Sequence, residues 1–263
     1  MKVAIVTPYF KETDEQLRRC AASVFFQTQR TDHIMVADGV REALPGPYYP
    51  RRIKLEKNWH DYGATPRAIG ALIAVAEQYD AIGFLDADCI IDRDHVATCL
   101  LTAKTNPEAD YIIARRRYVR LDGTTMPIND VVTSAATHVD TNCFFLLPTA
   151  YRMITAWLLI PSSLSYVGDC FFTRAMRQRR LKGVETDHIT VNYTTRWRQH
   201  YVQCGETPPE NAQELTVWKG FEERLTAELA EMKPFSALQA EKLALAREHV
   251  EREKHRRAHD NLI

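Results

Sequence analysis

The chain has 263 residues, enough for one sizeable α/β core with an appendage, and its 34 Lys+Arg balance its 34 Asp+Glu, so no net charge draws it to nucleic acid. A hydrophobic content of 45% suits a soluble globule, and six cysteines with no Cys-x-x-Cys pair argue for reduced thiols rather than a disulfide framework or zinc site. The start lacks a signal-peptide pattern and the longest apolar run, residues 154–160, is too short to cross a bilayer, so a cytoplasmic protein is expected.

Residues 2–6 are an apolar run read as a buried strand, stopped by Thr7-Pro8-Tyr9-Phe10. Asp14 is suited to cap a helix reaching about residue 27, with Leu17, Cys20, Ala21, Val24 and Phe25 on its apolar stripe. A second strand at 33–37 ends in Asp38-Gly39, and a proline-rich loop over 44–50 leads to a third near 52–55. Thr65-Pro66 then opens a helix in the usual cap-then-proline order, with Ile69, Ile73 and Ala76 on its inner face. Residues 81–85 form the next strand, closed by Asp86-Ala87-Asp88-Cys89. This alternation is the pattern of an α/β sheet covered on both faces. Such sheets bind ligands at the carboxyl ends of their strands, where Thr7, Asp38 and Asp86 lie.

In an extended strand end, side chains two apart project to one side, so Asp86 and Asp88 can face one ligand. Two carboxylates pressed together repel, and a hard divalent cation such as Mg²⁺ or Mn²⁺, shared with phosphate oxygens, relieves that repulsion. The bland alternative is an acidic loop. The first turn, Thr7-Pro8-Tyr9-Phe10-Lys11-Glu12, contains no glycine, which excludes both the dinucleotide fingerprint and a P-loop. A bound nucleotide would therefore need a metal and side chains to hold its phosphates.

A helix is expected from beyond Asp92 to about 104 and a strand at 111–114. Arg115-Arg116-Arg117 reads more readily as a solvated edge than as a phosphate clamp, and the turn Leu121-Asp122-Gly123-Thr124 suggests a hairpin. Residues 142–147 read as a strand, and Pro148 starts a helix. Gly168-Asp169 precedes an amphipathic helix, where Asp169 is either an N-cap or a functional carboxylate. Strands near 183–185 and 189–193 lead into residues 194–201. From about residue 208 two charged helical segments, 211–233 and 236–260, flank Pro234. They suit docking on the core or on a partner subunit (a homo-oligomer), or peripheral contact with a membrane surface.

Taken in order, these residues resemble the family 2 glycosyltransferases with the glycosyltransferase A fold, over residues 1 to about 205. The resemblance implies a Rossmann-like, mostly parallel central sheet flanked by helices. Residues 1–207 would be the catalytic domain, divided into a nucleotide-binding half (1–105) and an acceptor-binding half (106–207), with 208–263 a helical extension. By that resemblance Thr7-Pro8-Tyr9 and Asp38 face the nucleobase, Arg67 the diphosphate or base, and Asp86 the ribose, with Ala87 also a nucleotide-binding residue. Asp88 would hold the metal, Asp169 would be the catalytic base, and His200, following Val191-Asn192-Tyr193, would be a further metal ligand, with His138 and His188 as rivals. Two positions depart from the family pattern: Cys89 where many members have a third Asp, and Gly168 where the base segment often has Glu.

The implied activity is metal-dependent, inverting transfer, with Mn²⁺ or Mg²⁺, from a nucleotide-sugar to an acceptor hydroxyl in glycan or polysaccharide biosynthesis. A UDP-sugar is the preferred donor. The acceptor, a glycan, a lipid-linked sugar or a protein, would meet Thr141, Asn142, Trp157 and Tyr166-Val167, although Trp157 also fits a core position. Two other classes compete. A pyrophosphorylase-like nucleotidyltransferase normally has the glycine-rich first turn that is missing here, and a non-catalytic nucleotide-sugar-binding subunit would be indifferent to Asp169→Asn.

Overall fold

The computed structural model describes residues 1–39, 47–48, 50–128, 138–214 and 237–260. The proline-rich loop and the first C-terminal helix expected from the sequence lie mostly outside the described residues. Eight strands form one sheet: β1 (Val3–Tyr9), β2 (Asp32–Ala37), β3 (Arg51–Lys54), β4 (Ala81–Phe84), β5 (Ile90–Ile91), β6 (Tyr111–Val119), β7 (Phe144–Leu146) and β8 (Gly183–Thr194). Their order is β3-β2-β1-β4-β7-β6-β8-β5. The first four are parallel, β7 is antiparallel to both β4 and β6, and β8 runs parallel to β6.

Alternation along the strands decides which helix covers which face. Thr7, Met35 and Ala37 meet α1 (Asp14–Phe25), whose buried stripe is Leu17, Cys20, Ala21 and Val24. Val6, Ile34 and Val36 face the opposite way, against α2 (Ala64–Ala76). A Cβ at Gly70 would lie 2.6 Å from Val6 Cγ1, so glycine there lets α2 sit close on the sheet. Downstream, α3 (His95–Thr105) packs on β6 and β8, and α4 (Gly168–Gln178) packs on a run of 3₁₀ turns, Pro148–Leu159. A short α5 (Arg198–Gln203) follows β8. The last helix, α6 (Ala237–Asp260), docks on α2 and on Pro148–Leu159 through Ala246 and the buried Lys242 and His249.

Several local expectations change. β1 does not stop before Thr7 but pairs with β2 through Tyr9. Pro8 is tolerated because β4 pairs with β1 only as far as Val6, so no partner strand needs its missing N–H. Thr13, not Asp14, caps α1, in a reciprocal capping box with Gln16, and Phe25 is 57% exposed. Gly63 is the N-cap of α2, and Thr65 instead donates its N–H and hydroxyl to Asp61. The triple-arginine segment lies within β6, followed by a tight hairpin that returns from Val119 to Thr125. The two late strands are one strand, β8, with irregular register opposite residues 113–116. All six cysteines are free. Among the described residues no helix is long and apolar enough to cross a membrane.

Candidate active site

The carboxyl ends of β1, β2 and β4 open into a cavity of about 1040 Å³, lined on the far side by residues of β6 and after it, before α4, and at the end of β8 and after it. Eleven of the thirteen site residues proposed from the sequence line it, namely Pro8, Tyr9, Asp38, Arg67, Asp86 and Ala87 together with Asp88, Thr141, Trp157, Asp169 and His200. Thr7 and Asn142 do not. Thr7 is fully buried beneath the floor, with its hydroxyl 2.9 Å from His33 Nε2. Asn142 lies behind Asp86. It accepts the Asp86 N–H through Oδ1 and donates to Asp86 Oδ2 at 3.0 Å through Nδ2.

Asp38 follows the last residue of β2, and its Oδ1 accepts the Trp59 N–H at 3.0 Å, while its carbonyl accepts from Asn58 Nδ2. Burial pushes its carboxyl up to about 6, against the lowering pull of the Trp59 N–H. The loop from Asn58 to Gly63 forms the adjoining wall. Gly63 has φ +82° and a Cβ there would lie 2.9 Å from Pro8, so both conformation and space require glycine. The loop is braced from behind. Asp61, 1% exposed, takes Thr65 at the start of α2 and a 2.7 Å ion pair from Lys242 on α6.

Asp86 and Asp88 face the cavity from a turn rather than an extended strand end, because β4 ends at Phe84 and the Cys89 N–H bonds the Asp86 carbonyl at 3.0 Å. Asp86 is tightly held. Arg67 pairs with its Oδ1 at 2.7 Å, and the Arg67 guanidinium lies over the Trp157 ring. Trp157 is 1% exposed and stacks on Phe172 with ring centroids 4.6 Å apart, so it is a core residue whose edge reaches the wall. Arg67 therefore serves Asp86 rather than standing free for a diphosphate. Asp88 is less well satisfied, because its nearest cation, Arg196 Nε, is 3.7 Å away. Burial and the neighbouring Asp86 push its carboxyl up to about 6. A carboxylate that is weakly paired, beside a like charge and 26% exposed to the cavity is the environment that a divalent cation stabilises, so the donor chemistry fits one.

His200 also lines the cavity, its Nδ1 2.6 Å from Thr195 Oγ1 and its ring packed on Tyr118. Among the described residues it does not form a three-ligand cluster with Asp86 and Asp88, and the cluster that does form is His138, Asp169 and Cys170. His188 is exposed on β8, away from the cavity. Asp169 sits in the first turn of α4 and not at its N-cap, which is Val167. Its Oδ1 accepts the Cys170 N–H at 2.8 Å and its Oδ2 meets His138 Nε2 at 2.7 Å.

Two further residues, Arg116 and Asp140, belong to the site although their sequence context did not single them out. Arg116 leaves β6 towards the cavity, stacks over Tyr118 and Tyr193, and pairs with Asp140 at 2.7 Å. Asp140 in turn accepts from Asn142, so polar contacts run unbroken from Arg116 through Asp140, Asn142 and Asp86 to Arg67. The available signal was strand alternation, which turns Arg116 and Tyr118 to the same side.

No protein-family model and no curated protein sequence matches the chain. Solved structures of Staphylococcus aureus TarS do match in shape. The complex of TarS 1–349 with UDP-GlcNAc superposes with a TM-score of 0.59 at 13% identity, covering 95% of this chain and 72% of that one. The complex of TarS 1–349 with UDP gives 0.56 at 14% identity, over 78% of this chain and 63% of that one. The chain has the glycosyltransferase A fold. Against the longer crystallised TarS chain it spans 43% of that chain's length, with a TM-score of 0.56 and 14% identity. The mixed, mostly parallel sheet flanked by helices is the shared feature, and identity this low carries the fold alone.

Proposed function

We propose that the protein is a metal-dependent, inverting glycosyltransferase that moves a sugar from a nucleotide-sugar, with a UDP-sugar as donor, to an acceptor hydroxyl. The observation that carries this reading is one cavity with two differently equipped ends, on a fold also seen in TarS crystallised with UDP and UDP-GlcNAc. At one end Asp38 offers a carboxylate to the N3–H of a pyrimidine, between Tyr9 and the loop from Asn58 to Gly63. Asp86, fixed by Arg67 and Asn142, is oriented to accept from ribose hydroxyls. Asp88 would hold Mn²⁺ or Mg²⁺, with His200 in the same cavity as a candidate second ligand, and the ion when bound would neutralise charge growing on the leaving diphosphate. At the other end the Asp169–His138 pair meets the acceptor hydroxyl, whose pKa is far too high for attack without a base. Attack from that side, opposite the leaving group, inverts the anomeric carbon. Thr141 and the Tyr166-Val167 segment line the space for the acceptor. Residues 1–207 would carry the chemistry, with the segment from 208 onwards bracing the nucleotide loop through Lys242.

Thermal unfolding with UDP, dTDP, GDP and ADP, each with and without Mn²⁺, tests the donor half. A ligand at a hundred times its Kd adds about 2.7 kcal/mol to the folded state. A Mn²⁺-dependent rise in Tm with UDP or dTDP is expected, and no rise with any diphosphate would refute the reading.

A further inference from the structure

The acceptor end of the cavity holds a pair rather than a lone carboxylate. His138 Nε2 lies 2.7 Å from Asp169 Oδ2, both side chains line the cavity, and His138 Nδ1 bonds no described residue. We propose that His138 is the base that takes the proton of the acceptor hydroxyl, with Asp169 as its positioning residue. This deepens the transferase reading and rests on it.

Three observations carry the assignment. Both oxygens of Asp169 are already engaged, Oδ1 by the Cys170 N–H and Oδ2 by His138. A carboxylate accepting two hydrogen bonds within its own wall is a poor proton acceptor. Burial would raise its pKa, but His138, the Cys170 N–H and Arg116 together hold it below the usual carboxylate range. For His138 the balance is reversed. Burial would lower its pKa, but Asp169 and, further off, Asp140 outweigh both burial and Arg116 and raise it above its ordinary value, so of the two side chains the imidazole is the stronger proton acceptor. Finally, the 2.7 Å contact is a direct hydrogen bond. Two ligand atoms sharing a tetrahedral zinc at about 2.1 Å would stand roughly 3.4 Å apart, so the pair satisfies itself without an ion between its members.

The step balances. Asp169 holds the tautomer with hydrogen on Nε2, leaving Nδ1 as the acceptor. The hydroxyl proton moves to Nδ1, the oxygen's electron pair forms the bond to the anomeric carbon, and the bond from that carbon to the diphosphate breaks with its electrons leaving on the nucleotide. His138 is then an imidazolium facing Asp169, which stabilises it.

The test is UDP release from UDP-GlcNAc with water as acceptor, alongside UDP affinity and ¹⁵N NMR of the histidine ring. His138→Ala is expected to lower kcat about a hundredfold with UDP affinity unchanged, and added imidazole to restore about tenfold of the loss. Wild-type kcat should rise with pH through a limb above 6.5 that His138→Ala lacks. Asp169→Glu should recover part of the activity lost in Asp169→Asn, and NMR should show hydrogen on Nε2 in the wild type. An active wild type with His138→Ala within about fivefold of it, or a kcat flat from pH 5 to 8, overturns the assignment and leaves Asp169 as the base. A wild type that binds UDP but releases none from the sugar donor overturns the transferase reading, and the base with it.

Discussion

Replacing Lys242 by Met tests whether the last helix is part of the catalytic body. The Lys242–Asp61 pair is 2.7 Å long, with side chains only 2% and 1% exposed. Methionine keeps most of the volume but leaves the Asp61 carboxylate buried with only Thr65 to bond it. Removing one member of a buried pair costs about 3–5 kcal/mol, because the surviving charge loses its compensation without regaining water. For a chain of this size that lowers Tm by on the order of 10 °C. Asp61→Asn alone removes the orphan charge but strands the ammonium. The double variant, with neither charge, should recover to within about 1 kcal/mol of the better single variant, giving a coupling of at least about 2 kcal/mol. Urea unfolding of the four proteins measures this. Because Asp61 braces the loop that lines the Asp38 end of the cavity, Lys242→Met should also weaken UDP binding in the folded protein. A loss of under about 1 kcal/mol, with UDP affinity unchanged, would refute this role, since the ion pair then supports neither stability nor the loop.

Three further outcomes follow from the same geometry. Asp88→Asn should leave the melting temperature of the free protein within a few degrees of wild type but abolish the Mn²⁺-dependent part of the UDP stabilisation; a retained Mn²⁺ effect would remove Asp88 from the metal. UDP binding measured without metal should weaken as pH falls through about 6, where Asp38 takes up a proton, and Asp38→Asn should flatten that dependence. A wild-type affinity constant from pH 5 to 7 would break the assignment. His95 is buried and neutral against Thr190, and burial lowers its pKa from the ordinary 6.5 to about 4. A folded pKa below the unfolded one means stability present above 6.5 and lost on acidification towards 4. Between pH 7 and 4.5 it removes about 2 kcal/mol, a loss His95→Asn should spare, as urea unfolding at the two pH values would show. An equal loss in both proteins would count against the buried neutral histidine.

Much of the nucleotide half was legible because its signals are local. Apolar runs and turn residues sit within a few positions of one another, and parallel strands bring their carboxyl ends to one edge whatever the details. Strand direction alone joins Tyr9, Asp38, Asp86 and Asp88. Residues whose partners are distant in sequence were not legible in this way. Thr7 carries the right turn chemistry but is directed to the α1 face by strand parity. Asn142 has the composition of an acceptor contact, yet the fold sets Asp86 between it and the cavity. Arg116 looked solvated because three arginines in a row hide their alternation. It is drawn inward by Asp140 and by Tyr193, the latter 77 positions away.

The sequence by itself determined the sheet-and-helix alternation, the acidic pair that follows β4 and a carboxylate close to the start of the helix after Gly168, because each depends on periodicity and neighbouring residues; that the acidic pair sits in a turn and that Asp169 lies inside the first turn of α4 came from the fold. Only the tertiary structure decided that Asp169 meets His138, that Arg67 belongs to Asp86, and that Lys242 neutralises Asp61. Buried charges take whatever partner the packed chain brings within about 3 Å, and a linear sequence carries no distance between them.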